Sequence, residues 1–204
     1  MTSLVFLDDI LTLQSEGFSP LWVDFSHLIW QKRRDAGKKQ GLVRACKPAS
    51  GLRIVDATAG WGRDAAILAS FGAQVLMLER HPVVSALLQD GLRRLSKDSP
   101  LDLSLLPVEA KSYLQPLLPE DYPDVIYLDP MHPVRQKSAL VKKEMQVLQN
   151  MIGKDTDVLE LLHLALTRVR QRVVVKWPQR AAPLLKPTRS ISGKTIRFDV
   201  YERS

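Results

Sequence analysis

The chain has 204 residues, a formal net charge of +7 and a pI near 9.6, with 45% hydrophobic and 25% charged residues. That balance suits one globular domain with a sizeable core and excludes a disordered or fibrous chain. The lone Cys46 excludes an intramolecular disulfide framework, and no apolar run is long enough to span a bilayer.

Residues 1–50 read as a small N-terminal extension carrying a basic segment. Asp8 and Asp9 stand where a signal peptide would be basic, so none is expected, and a cytosolic protein is predicted. Residues 4–13 are apolar and read equally as helix or strand. Gly17-Phe-Ser-Pro20 is a turn, and residues 21–25 alternate like a strand. Lys32, Arg33, Arg34, Lys38, Lys39, Arg44 and Lys47 then face only Asp35, so nearly the whole excess charge sits in one short run flanked by Trp22 and Trp30. The run is either a solvated loop or a nucleic-acid surface whose aromatic residues stack on bases.

From residue 51 to 204 strands and helices alternate. Residues 52–55 are a buried strand, followed by the glycine turn Asp56-Ala-Thr-Ala-Gly-Trp-Gly-Arg63 and a helix from Asp64. Residues 74–78 form a second strand ending at Glu79-Arg80. His81-Pro82 opens a helix with Val84, Leu88, Leu92 and Leu95 on one face. Residues 101–108 are a third strand, 111–118 a short helix stopped by Pro119, and 125–128 a fourth strand running into Asp129-Pro-Met-His-Pro133. A long amphipathic helix follows, with Val141, Met145, Leu148 and Ile152 on its buried stripe, and Gly153 ends it. Asp155 or Asp157 caps the next helix, with Leu159, Leu162, Leu166 and Val169 inward. Residues 172–176 are a buried fifth strand. Pro178, Pro183 and Pro187 mark an irregular connection, and 195–201 a final antiparallel strand paired through a turn at Ser192-Gly193. The pattern predicts an α/β fold with a doubly wound, mostly parallel sheet.

In such a sheet, ligands sit beyond the carboxyl ends of the strands. Gly60 and Gly62 allow close backbone approach to a ligand, although this motif alone also fits dinucleotide folds and plain turns. Glu79 ends the second strand, where a carboxylate can accept from both hydroxyls of a ribose; the competing reading is a surface acid paired with Arg80. Asp129 and Pro130 discriminate most. An exocyclic amine is a poor nucleophile because its lone pair is delocalised into the ring. A carboxylate and a neighbouring carbonyl can accept its two N–H bonds, holding the nitrogen in line with a methyl donor. Proline fixes φ and turns the carbonyl into the site.

Several segments together resemble one family: residues 56–64, Met77-Leu-Glu-Arg80 with Pro82-Val-Val84, Leu128-Asp-Pro-Met131, residues 136–145 and Val173-Val-Val-Lys176. The chain resembles the bacterial 16S ribosomal RNA guanine-N2 methyltransferase J family, of the class I S-adenosyl-L-methionine-dependent fold, from about residue 21 onward. The resemblance implies methyl transfer to the N2 of one guanine in small-subunit rRNA. It implies that Arg63 and Asp64 contact the cofactor near Gly60, and that Glu79 and Arg80 hold its ribose and adenine side. Glu109 and Ala110 would border the adenine, and Asp129 would face both cofactor and target amine. The chain departs from the family at Glu109-Ala110, where small hydroxyl residues are usual, and at His132, where an aromatic residue is usual. Its N-terminal region is also shorter.

His27, His81, His132 and His163 share no metal spacing with one another or with Cys46, so no metal is expected. Arg135 and Lys137, and the Lys142-Lys143 pair, lie near Asp129 in sequence; the pair is either the wet face of a helix or an RNA phosphate contact. The rival functions are a methyltransferase acting on DNA or another RNA amine, a dinucleotide-dependent oxidoreductase, and an inactive RNA-binding module. No membrane partner is expected.

Overall fold

The computed structural model describes residues 2–17, 19–26, 30–31, 34–35, 37–131 and 157–203. His27, His132, Arg135, Lys137, Lys142, Lys143 and the amphipathic helix expected to carry Val141, Met145, Leu148 and Ile152 lie outside them.

The ambiguous N-terminal stretch is a hairpin, β1 (Thr2–Leu7) and β2 (Ile10–Ser15), in register from Thr2 opposite Ser15 to Leu7 opposite Ile10. Asp8 (φ 47°) and Asp9 (φ 64°) form the two-residue turn. Positive φ at both positions matches the twist of the strands, and Asp tolerates it better than most residues. The strand expected over residues 21–25 is not one: Leu21 makes a single bridge to Leu13. The alternation there reports burial: Val23 and Phe25 point inward against a helix, and the pairing with β2 does not extend beyond Leu21.

Beyond α1 (Gly41–Cys46) the chain builds a seven-stranded sheet. β3 (Arg53–Asp56), β4 (Gln74–Leu78), β5 (Asp102–Leu106), β6 (Val125–Leu128) and β7 (Arg172–Pro178) run parallel. β8 (Arg189–Ser192) and β9 (Ile196–Glu202) close one edge antiparallel, giving the order β5-β4-β3-β6-β7-β9-β8. The connecting helices are α2 (Arg63–Ala69), α3 (Pro82–Arg93), α4 (Ala110–Leu114) and α5 (Val158–Thr167). The irregular connection after Pro178 thus includes a strand, β8, that the prolines before it concealed.

Period-two alternation divides the core between two faces. Ile54, Val75, Met77, Tyr127 and Val174 pack beneath α1, α2 and α3, together with Leu13, Val23, Phe25 and Trp30 of the N-terminal segment. Val55, Leu78, Ile126, Leu128, Val173 and Val175 pack beneath α4 and α5. Burial on both faces explains the unbroken apolar runs of β6 and β7. On α5, Leu162 is inward as expected, as is Val169 just beyond it; Leu166 is half-buried and Leu159 is exposed, while Leu161 and Ala165 take the inward stripe instead. Asp157 precedes α5 without a side-chain cap, its carboxylate drawn to Lys111 Nζ at 2.8 Å.

The N-terminal segment is tied to α3 through Asp90. That buried carboxylate accepts from the Leu11 N–H at 3.2 Å and pairs with Arg93 and Arg94. Arg93 also donates to the Asp9 carbonyl and Arg94 to the Val23 carbonyl.

Candidate functional site

All five parallel strands end on the same edge, so the residues just beyond them converge. β3 ends at Asp56. Ala57 donates to the Tyr127 carbonyl (2.9 Å) and Ala59 to the Leu78 carbonyl (3.2 Å), splaying the chain between the tips of β4 and β6. Gly60 (φ 52°) and Gly62 (φ 68°) then reverse it, with Gly62 donating to the Ala59 carbonyl at 2.8 Å. A side chain on Gly62 would strike Leu88 and Phe25 at 2.9 Å, so this glycine is required by packing. A side chain on Gly60 would meet nothing nearer than the Thr58 carbonyl at 4.0 Å. The open space over the bend lies there.

Glu79 staples β4 to that bend. Its Oε2 accepts from the Gly60 N–H at 3.1 Å and its Oε1 from the His81 N–H at 2.7 Å. It is 6% exposed, which removes the reading as a surface acid. Arg63 and Arg80 stand exposed on the same edge. Glu109, beyond β5, is half-buried and accepts from the Ser112 hydroxyl at 3.2 Å, and Ala110 beside it is buried.

Beyond β6, the Asp129 N–H donates to the Thr58 hydroxyl at 2.6 Å, locking the Asp129-Pro130 turn onto the glycine bend. Pro130 is buried beside it. The Asp129 carboxylate meets a partner to which the sequence pattern assigns no role: Lys176, at the carboxyl end of β7, with Nζ 2.6 Å from Asp129 Oδ2. The same ammonium lies 3.1 Å from Asp64 Oδ2, which also accepts from the Tyr127 hydroxyl at 2.8 Å. Asp64 therefore belongs to this cluster as much as to the glycine turn. The signal for Lys176 and Tyr127 was present in the alternation. Tyr127 and Asp129 share parity on one strand and Val174 and Lys176 on the next, so all face α2.

Electrostatics follow burial. Asp56 is 1% exposed and its carboxyl is pushed up to about 8 by burial, opposed by the Thr58 N–H and reinforced by Asp64 and Asp129. Burial works against charge on Lys176, but Asp64 and Asp129 outweigh it and hold the ammonium well above its ordinary value. Burial, then Asp64, Asp129 and Asp56, push the Tyr127 phenol upward. Among the described residues, the edge thus presents the Glu79, Asp64 and Asp129 side chains, the Lys176 ammonium and the Arg63 and Arg80 guanidinium groups around the open space over the glycine bend. The carboxylates among them accept hydrogen bonds and suit a ligand that carries hydroxyl groups and positive charge.

The expected aromatic partners of the basic run divide. Trp30 is buried and its indole donates to the Phe25 carbonyl at 3.2 Å, so it cannot stack on a base. Trp22 remains 48% exposed, and Arg34, Lys39, Arg44 and Lys47 are exposed. Among the described residues no helix is long and apolar enough to cross a membrane, and no cluster of His, Cys, Asp or Glu is arranged to hold a metal ion.

A family model described as "Putative SAM-dependent methyltransferase" matches residues 1–203. "Ribosomal RNA small subunit methyltransferase J" of Legionella pneumophila (strain Corby) is 59% identical over 202 residues, covering 98% of this chain and 83% of the relative. The proteins of the same name from Thioalkalivibrio sulfidiphilus and Coxiella burnetii (strain Dugway 5J108-111) are 47% and 45% identical, over 89% and 97% of this chain and 76% and 82% of theirs. A SAM-dependent methyltransferase from Neisseria gonorrhoeae superposes with a TM-score of 0.75 at 32% identity, covering 98% of this chain and 82% of that one. The chain belongs to the ribosomal RNA small subunit methyltransferase J family of S-adenosyl-L-methionine-dependent methyltransferases.

Proposed function

We propose that this protein methylates the exocyclic N2 amine of one guanine in 16S rRNA, with Asp129 and Pro130 receiving the amine. The carrying observation is the 2.6 Å bond from the Asp129 N–H to Thr58, which sets the acid beside the open glycine bend. S-adenosyl-L-methionine, when bound, supplies a methyl group on a cationic sulfonium. Gly60 provides room for it, and Arg63 and Asp64 border it. Glu79 takes the ribose hydroxyls, with Arg80 beside it, while Glu109 and Ala110 flank the adenine. The Asp129 carboxylate and the carbonyl turned by Pro130 accept the two N–H bonds of the target nitrogen and favour the positive charge that grows on it. The proton leaves after transfer, so no strong base is required of the protein.

The amine is inaccessible in a paired, stacked base, so the guanine must be turned out to reach Asp129. Residues 51–204 form the catalytic domain in this reading. The extension over residues 1–50 offers RNA phosphates the exposed Arg34, Lys39, Arg44 and Lys47, with Trp22 available for stacking. A ribosomal substrate implies work in the cytoplasm.

Mass spectrometry of 16S rRNA from a deletion strain tests the assignment. The wild-type gene should restore one N2-methylguanine. Asp129→Ala should lower turnover by about 10²–10³-fold or more while retaining adenosylhomocysteine binding. Restoration at a normal rate by Asp129→Ala would refute the mechanism, and methyl transfer to DNA or another RNA instead would refute the substrate.

A further inference from the structure

The reaction proposed above asks for one carboxylate at the amine, yet Asp129 and Asp64 both lie against the Lys176 ammonium. Lys176 Nζ lies 2.6 Å from Asp129 Oδ2 and 3.1 Å from Asp64 Oδ2. The three side chains come from β7, from the end of β6 and from the first turn of α2. They are partly withdrawn from water, with side-chain exposures of 24%, 32% and 14% for Lys176, Asp129 and Asp64. Carboxylates sharing such a site repel, and without a cation between them one takes up a proton.

We propose that Lys176 is a positioning residue for methyl transfer, its ammonium fixing Asp129 Oδ2 and keeping both Asp129 and Asp64 ionised. This rests on the role given to Asp129 above. A protonated Asp129 would offer the amine a hydroxyl where it needs an acceptor, and an unpinned one would lose its direction. The remaining groups around the ammonium support a fixed charge state. On β6 the Tyr127 phenol is kept neutral by burial and by the neighbouring anions, and it donates to Asp64. At the end of β3, Asp56 stays protonated up to about pH 8. At the end of α1, burial pushes the Cys46 thiol up, reinforced by Asp64 and Asp56.

The test compares Lys176→Met and Lys176→Arg with the wild-type enzyme. Methyl transfer to small subunits from the deletion strain is followed between about pH 6 and 9, alongside adenosylhomocysteine binding and ¹³C NMR titration of the aspartate carboxyls. Lys176→Met should lose about 10²-fold in kcat because Asp129 is no longer held in line, and the activity that remains should fall further toward pH 6 than the wild type's, because one carboxyl of the pair takes up a proton more readily without the cation. Lys176→Arg should restore the wild-type pH profile. Lys176→Gln gives the same comparison if Lys176→Met does not fold. A folded charge-removed variant with kcat within about threefold and an unchanged pH profile would overturn the proposal. So would carboxyl titrations that do not move. If the wild-type enzyme leaves the RNA unmethylated, the role of Asp129 fails instead, and the NMR titration still decides whether Lys176 governs the pair.

Discussion

Asp56 shows how far burial shapes the chemistry of single residues here. Its carboxyl is moved from 3.8 to about 8, so the folded protein holds a proton that the unfolded chain has released across that interval. The stability this proton confers is complete below the unfolded value and is lost as pH climbs through the folded one. The melting temperature should therefore fall between about pH 5 and 8, and Asp56→Asn should flatten that fall; equal slopes for the two proteins would contradict the buried-acid assignment. Asp129 and Glu79 were legible in the sequence because each directly follows an apolar strand, and position alone puts such residues on the binding edge. Alternation marks only the face that Lys176 and Tyr127 share; what they pair with lies 47 to 112 residues away along the chain, and Thr58 bonds a backbone N–H 71 residues on. Trp30 looked like a stacking residue in a basic run and is a core residue, since nothing local records that its indole turns toward the Phe25 carbonyl.

Secondary-structure elements are most legible where long-range burial and local pattern agree. β3, β4, β6 and β7 have apolar centres packed on both sides, so the middle of the sheet is their natural home. Residues 21–25 misled because alternation records which side is covered, while a ladder needs a partner strand. The β1–β2 hairpin was hidden because an Asp8-Asp9 turn lacks the glycine that usually marks positive φ. Gly62 carries the strongest prediction at this scale. Its φ of 68° and the 2.9 Å approach of Leu88 and Phe25 leave no room for a methyl group. Gly62→Ala should cost about 2–4 kcal/mol by denaturant unfolding and displace the bend that Glu79 grips. A variant as stable as the wild type would mean that the turn relaxes freely.

Across the whole molecule, alternating strands and helices foretold the doubly wound sheet, and the antiparallel β8–β9 edge completes it. Charge is distributed less evenly than structure: α1, which carries Arg44 and is followed by Lys47, packs on the same face of the sheet as α2 and α3, away from α4 and α5. Reversing Lys39, Arg44 and Lys47 together to Glu should weaken RNA binding and reduce the salt slope by about one unit for each phosphate no longer neutralised. An unchanged slope would return these side chains to solvent. The proposed methyl transfer to a base held at Asp129 depends above all on where the methyl donor sits relative to that residue, and a crystal structure with S-adenosylhomocysteine measures this directly. The sulfur should lie over Gly60, within about 5 Å of the Asp129-Pro130 turn, with the ribose hydroxyls on Glu79. A sulfur seated elsewhere, or a ribose that bypasses Glu79, would contradict it.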